Sequence, residues 1–268
     1  MSDGIEEFNG YSLAWSDEFD GAAGLPANPD TWRPEVGGHG WGNGELQYYT
    51  DSGDNALLDG EGNLAIVVRR MDPQLRAGTF DGCEFTSARL VSKDRLRFSC
   101  GLVQARIRLP QGRGIWPAFW MLGQNIDEVG WPQCGEIDVM ENFGKEPAMV
   151  HGTVHGPGYS GRGGITASHN AGSSLADGFH LYSVCWEPDR IRWYLDDELY
   201  STVTPGDLQG RPWVFDHDFF FLINVAVGGT FSEAPDNSVT FPQTMLIDYV
   251  RVYTPSTTPN AAMPHYRS

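Results

Sequence analysis

Between residues 11 and 253 the chain reads as short apolar runs, rich in β-branched and aromatic residues, broken by turn signals roughly every 10–15 residues. Sustained helical periodicity is missing, apart from one turn expected over 28–32. Strand character falls on 11–19, 63–70, 85–92, 101–109, 118–122, 135–142 and 149–154, then on 180–186, 190–195, 199–203, 219–227 and 245–253. Asp196 and Asp197, between Tyr194 and Leu199, predict a hairpin tip. The glycine-rich stretches 37–44 and 156–164 predict loops. About a dozen strands with no repeat, linker or shift in composition imply one all-β domain over 1–268, built from two antiparallel sheets packed face to face. Its ordered core is expected over about 8–254, followed by an irregular tail over 255–268.

Bulk properties narrow the partners. With 35 acids against 18 bases the net charge is −17, a field that repels nucleic acid, anionic membranes and polyanionic substrates but tolerates a neutral polymer. No apolar run approaches the length of a membrane span. The Met1-Ser2-Asp3 start has neither the basic nor the apolar region of a signal peptide, and a secreted enzyme without its leader would begin the same way. Cys83, Cys100, Cys134 and Cys185 are scattered and fit no zinc spacing. Two disulfides and four buried thiols both remain compatible with them; thiols are favoured because a chain this long buries enough core without crosslinks.

Residues 135–144, Gly-Glu-Ile-Asp-Val-Met-Glu-Asn-Phe-Gly, place three acids inside an apolar strand. Desolvating a carboxylate is costly unless something uses or pairs it, so such a strand is a place to look for chemistry. Glu136 and Asp138 are two apart and project from one face. Strict alternation would put Glu141 on the other face, but one extra residue, a β-bulge at Val139 or Met140, returns it to the first. Two glutamates leaning together can approach the ~5–5.5 Å carboxyl separation of a retaining glycosidase, with Asp138 between them sharing a proton. A calcium site and a solvated strand face are the competing readings. Calcium, however, normally draws its acids from a loop that wraps the ion, whereas these alternate with Ile and Val. Trp116, Trp120 and Trp131 precede the acids closely, and Trp41, Tyr48 and Tyr49 flank the first glycine loop. Flat aromatic faces of this kind stack sugar rings, although any one of them can equally be core.

Together these residues resemble glycoside hydrolase family 16, and within it the bacterial laminarinase-like members. The resemblance rests on Trp15–Phe19, Gly40–Thr50, Thr86–Leu90, Trp116–Leu122, the Glu136–Glu141 strand, Val154–Gly156, Asn224–Gly229 and Asp248–Tyr253. It implies a β-jelly-roll sandwich of two curved antiparallel sheets with a substrate cleft on the concave face. It further implies Glu136 as nucleophile, Glu141 as general acid/base and Asp138 as supporting acid. Trp116 and Trp120 match cleft tryptophans, Trp131 a residue flooring the reacting subsite, and Asn43 and Arg89 polar contacts to glucose hydroxyls. His155 matches a histidine near the acid/base; a strand histidine satisfied by backbone groups is its alternative. Arg89 could instead pair with one of the many acids. No cofactor is expected for catalysis. The resemblance also suggests one structural calcium on the convex face, held by the Glu18 and Gly62 carbonyls and by Asp248. Cys134 and Cys185 leave the motif undisturbed, Cys185 being expected on a strand beside it.

The expected function is endo-acting, retaining hydrolysis of β-1,3-glucan by a monomeric, extracellular protein with no nucleic-acid or membrane partner. Hydrolysis of another β-glycan (mixed-linkage glucan or an algal galactan) is the alternative. A glucan-binding protein without activity is less favoured, because such proteins lose the glutamates that are present here.

Overall fold

The computed structural model describes residues 10–76, 78 and 80–256. Most of the expected tail, residues 257–268, therefore lies outside the described residues. The strands run in chain order as β1 (Tyr11–Asp17), β2 (Arg33–Pro34), β3 (Gln47–Tyr49), β4 (Ala56–Leu58), β5 (Leu64–Arg70), β6 (Phe85–Ser87), β7 (Arg89–Val91), β8 (Gly101–Arg108) and β9 (Ile115–Gly123). They continue as β10 (Glu136–Glu141), β11 (Met149–His155), β12 (Ile165–Asn170), β13 (His180–Glu187), β14 (Arg190–Leu195), β15 (Glu198–Val203), β16 (Phe219–Val227) and β17 (Gln243–Pro255). Helical segments are single turns, and no helix among the described residues is long and apolar enough to cross a membrane.

Two sheets form. A ten-stranded sheet has the order β15-β14-β13-β8-β17-β5-β6-β3, with β1 also pairing β17 and β4 pairing β5. A seven-stranded sheet has the order β12-β11-β10-β9-β16-β7-β2. All pairings are antiparallel except β3 with β6. The jelly-roll sandwich is thus the observed fold, with 17 strands where the sequence suggests about a dozen.

The differences have local causes. Residues 85–92 carry no turn signal, yet the chain leaves the larger sheet at Ser87 and enters the smaller at Arg89, pivoting on fully buried Ala88. Strand β12 is an edge strand with alternating exposure and the sequence Ile-Thr-Ala-Ser-His-Asn, too polar to announce itself. The expected turn at Asn28 is present, with Trp32 N–H donating to the Asn28 carbonyl at 2.8 Å. The β14–β15 hairpin turns at Asp196, whose φ is +52°. Cys185 sits on β13 in the larger sheet, away from the acid strand: the neighbours of β10 are β9 and β11. Runs of similar apolar strands do not reveal which sheet each joins. All four cysteines are free thiols.

Period-2 alternation then sorts the side chains. On β9, Ile115, Phe119 and Met121 enter the interior between the sheets, while Trp116, Ala118 and Trp120 point to the opposite face. On β16, Phe221, Ile223 and Val225 enter the interior while Asn224 and Ala226 face outward with Trp120. Phe221 anchors the interior, with ring centroids 4.5 Å from Phe98, 5.4 Å from Phe119 and 6.0 Å from Trp15. Truncating it leaves a cavity ringed by stiff aromatics that collapse poorly. Phe221→Ala is expected to destabilise the fold by about 3–5 kcal/mol, measured by denaturant unfolding.

Candidate active site

The outward face of the seven-stranded sheet carries a cleft of about 400 Å³. Its floor is crossed by β10, whose register breaks where the sequence requires it. Against β9, Asp138 pairs with Trp120 and Met140 with Phe119, so Val139 is the extra residue. Against β11, Asp138 pairs with Thr153 and Glu141 with His151, so Val139 and Met140 together oppose Gly152. Both bulged side chains are buried in the interior, and Glu136, Asp138 and Glu141 all line the cleft. Gly135, at φ +76°, swings the chain into the strand where a side chain would meet the Val214 carbonyl.

Each glutamate holds a different tryptophan. Trp131 Nε1 donates to Glu136 Oε2 at 2.5 Å, and Trp116 Nε1 donates to Glu141 Oε1 at 3.0 Å. Asp138 is buried between them, with His155 Nε2 lying 3.3 Å from its Oδ2. His155 Nδ1 has no partner, so the reading of a histidine satisfied by the backbone does not hold. Glu136, Asp138 and His155 bring one polar atom each within 4.8 Å of one another, the acid-rich arrangement among the described residues that could also hold a cation.

Burial and mutual repulsion push all three carboxyls up. Desolvation and the Asp138 charge raise Glu136 to about 8; desolvation and the Glu136 charge, partly offset by His155, raise Glu141 to about 7. Asp138 moves in the same direction through desolvation and Glu141. The set therefore carries fewer than three charges near neutrality. A proton shared between Asp138 and Glu136 leaves Glu136 anionic whenever it resides on Asp138.

A second network shapes the cleft beyond the acids. Trp120 Nε1 donates to Asn224 Oδ1 at 2.7 Å, and Asn224 Nδ2 donates to the Tyr49 hydroxyl at 3.1 Å. Tyr49 donates to Glu45 Oε2 at 3.2 Å, and Asn43 Nδ2 donates to Glu45 Oε1 at 3.0 Å. Arg89 is fixed from three sides: Nε meets Glu35 Oε2 at 2.6 Å, and the guanidinium carbon lies 4.8 Å from both the Trp41 and the Trp120 ring centroids. Arg89 thus pairs with an acid, as one reading expects, and also lines the cleft.

All six expected binding residues (Asn43, Arg89, Trp116, Trp120, Trp131, His155) line the cleft. Trp131 is 46% exposed, leaving much of its indole open to a ligand. Tyr48 instead packs on Phe80, and Tyr49 is fully buried beneath the cleft. Sequence reasoning missed Glu45, Asn224 and His151. A lone Asn inside the apolar run 219–227 was a usable signal, as was the alternation of His151, Thr153 and His155 along β11.

The three expected calcium ligands lie far along the chain from one another but at one seam of the larger sheet. β17 pairs with β5 up to Ile247–Leu64 and with β1 from Val250–Asp17, so Gly62 and Glu18 both approach Asp248. Their oxygen donors suit a hard cation. Arg106 already occupies Asp248 Oδ2 at 2.5 Å, leaving Oδ1 for any ion.

The raised carboxyls carry a stability cost with a definite sign. In the folded state they hold protons that the unfolded chain releases above its ordinary glutamate value of 4.5, so stability falls as pH rises from about 4.5 and levels off above about 7–8. Glu136→Gln removes one ionisation. It is expected to raise the melting temperature at pH 8 by about 2–8 °C, for a gain on the order of 1–2 kcal/mol, and to change it little at pH 4. Paired thermal melts at the two pH values check this.

Comparison with known proteins agrees with this architecture. The family description "Glycosyl hydrolases family 16" matches residues 44–250. A β-glucanase from Rhodothermus marinus is 41% identical over 265 residues, covering 94% of this chain and 88% of that protein. The endo-β-1,3-glucanase structure from Pyrococcus furiosus superposes with a TM-score of 0.84 at 44% identity, covering 91% of this chain and 94% of the other. The laminarinase catalytic domain of Thermotoga maritima gives 0.83 at 44% identity, covering 91% and 98%. With its acid strand, its cleft and these relatives in agreement, the chain belongs to glycoside hydrolase family 16.

Proposed function

We propose that this protein is an endo-acting, retaining hydrolase of β-1,3-glucan, working by double displacement with Glu136 and Glu141. The observation that carries the reading is the bulged strand, which brings two glutamates with different hydrogen-bond partners onto one cleft face on either side of a buried aspartate. In the first step the Glu136 carboxylate attacks the anomeric carbon while Glu141 gives its proton to the departing glycosidic oxygen. The Trp116 contact occupies Glu141 Oε1 and leaves Oε2 to carry that proton toward the substrate. In the second step Glu141 takes a proton from water, which attacks the same carbon and releases Glu136. Asp138 holds the shared proton as Glu136 becomes nucleophilic. Trp120 and Trp131 offer ring faces for glucose units, and Asn43 and Arg89, both held by acids, offer donors to hydroxyls.

Endo action is supported by the course of the cleft, which runs across the sheet from Arg89 on β7 to Thr166 on β12 and so accepts an internal stretch of polymer. The substrate choice is supported by the relatives' own activities. The alternative of a mixed-linkage substrate has support in a Rhizobium meliloti endo-1,3-1,4-β-glycanase, 31% identical over 258 residues. The neutral polymer suits the net charge of −17. An extracellular, monomeric protein fits a polymeric substrate. Calcium at the Glu18, Gly62 and Asp248 seam would act on stability alone, by tying β1, β5 and β17 together.

Glu136→Gln and Glu141→Gln are each expected to lower laminarin turnover by at least about 10³-fold while preserving the fold and glucan binding. Azide is expected to rescue Glu136→Ala with an inverted product and Glu141→Ala with a retained one. Near-normal activity of Glu136→Gln would overturn the assignment. Reducing-end release from laminarin, mixed-linkage glucan, agarose and carrageenan tests the substrate, with oligosaccharides of several lengths expected early from laminarin. For the calcium proposal, added Ca²⁺ should raise the melting temperature of the chelator-treated protein but not that of Asp248→Asn. An equal response in both would remove the seam as the site.

A further inference from the structure

The acid strand depends on a bulge, and a bulge leaves main-chain groups outside the regular ladder. The register of β10 breaks directly after Asp138 against both neighbours. In a regular strand the Asp138 carbonyl would lie in the plane of the sheet and aim at β9 or β11. Here it accepts a hydrogen bond at 2.8 Å from Nε1 of Trp193, which belongs to β14 in the opposite sheet. The carbonyl at the register break is therefore reached from across the dry interior, where an unmet polar group would be costly. Trp193 is fully buried, so the bond is shielded from water.

The opposite side of the bulge is cut to fit the same ring. Gly152 is the single β11 residue facing Val139 and Met140, and a side chain there would collide with the Trp193 indole and with the Tyr200 hydroxyl. The extra residue, the missing side chain and the indole N–H thus form one three-part device. None of its members reaches the cleft floor that the acids occupy.

We infer that Trp193 is a positioning residue for the reaction: through the Asp138 carbonyl it holds the bulge that keeps Glu141 on the same face as Glu136. A buried tryptophan that served packing alone would satisfy its N–H at any convenient acceptor. This one satisfies it at the single peptide on which the facing of the acid/base depends. The inference rests on the roles proposed above for Glu136 and Glu141, and the experiment separates the two.

The molecule contains its own control. Trp186, on β13, is likewise fully buried and donates Nε1–H to a backbone carbonyl, that of Phe215, also at 2.8 Å. Benzothienylalanine at either position keeps the ring shape and deletes only the N–H; Trp193→Phe and Trp186→Phe provide a second pair that tolerates some loss of packing. Each variant is compared with Glu141→Gln on laminarin and on a dinitrophenyl β-glucoside of laminaribiose, whose leaving group needs no proton in the first step. Glu141→Gln should lose activity on laminarin far more than kcat/KM on the dinitrophenyl substrate; if it does not, the acid/base assignment fails before Trp193 is judged. Given that pattern, the isostere at 193 should lower kcat on laminarin by about 10–100-fold. KM should stay within about twofold, the dinitrophenyl kcat/KM should be nearly unchanged, and the melting temperature should match that of the isostere at 186. The isostere at 186 should show near-normal kcat. Equal kcat losses at the two positions, or unchanged kcat at 193, would reduce Trp193 to a packing residue and overturn the inference.

Discussion

Three carboxyl groups held on one strand and away from bulk water set the terms for everything around them. Water would stabilise their charges; the cleft supplies instead one indole N–H to each glutamate and a nearby imidazole for the aspartate. Their pKa values rise because that replacement is incomplete, and the incompleteness is what leaves protons available for transfer. Such a strand would be discarded as a structural element unless the rest of the sandwich compensated. The compensation is visible in the interior, where large aromatics such as Phe221, Trp186 and Trp193 fill the space between the two sheets.

The same constraint explains why rigid parts surround the acids. Trp120, Asn224, Tyr49, Glu45 and Asn43 form a continuous hydrogen-bonded chain along the cleft wall. Glu45 is itself a desolvated acid, kept in place by donors from Asn43, Gln47 and Tyr49. Arg89, clamped between two indoles and Glu35, has little rotational freedom left to lose when a sugar arrives.

What could be read from the sequence follows from how local each signal is. The facing of Glu136, Asp138 and Glu141 depends on alternation plus one inserted residue, and both can be counted along ten positions. The aromatic cleft could be inferred because Trp116, Trp120 and Trp131 sit close to those acids in the chain. By contrast, the bond from Asn224 to Tyr49 joins residues 175 apart, and that from Trp193 to Asp138 joins residues 55 apart through a carbonyl that every residue possesses. The passage from one sheet to the other at Ala88 and the polar edge strand β12 were invisible for a related reason. Sheet membership is decided by packing partners, and neither segment carries a residue that names its partner.

The four free thiols have a consequence for how such a chain can be made. Burial pushes Cys100, Cys134 and Cys185 up to about 11, so very little thiolate is present near neutrality to be oxidised or exchanged. No disulfide links any two parts of the sandwich, and its strands are joined by main-chain ladders, side-chain hydrogen bonds and ion pairs, and the aromatic interior. The native fold therefore requires no disulfide, and once folded these thiols present little thiolate to an oxidising medium.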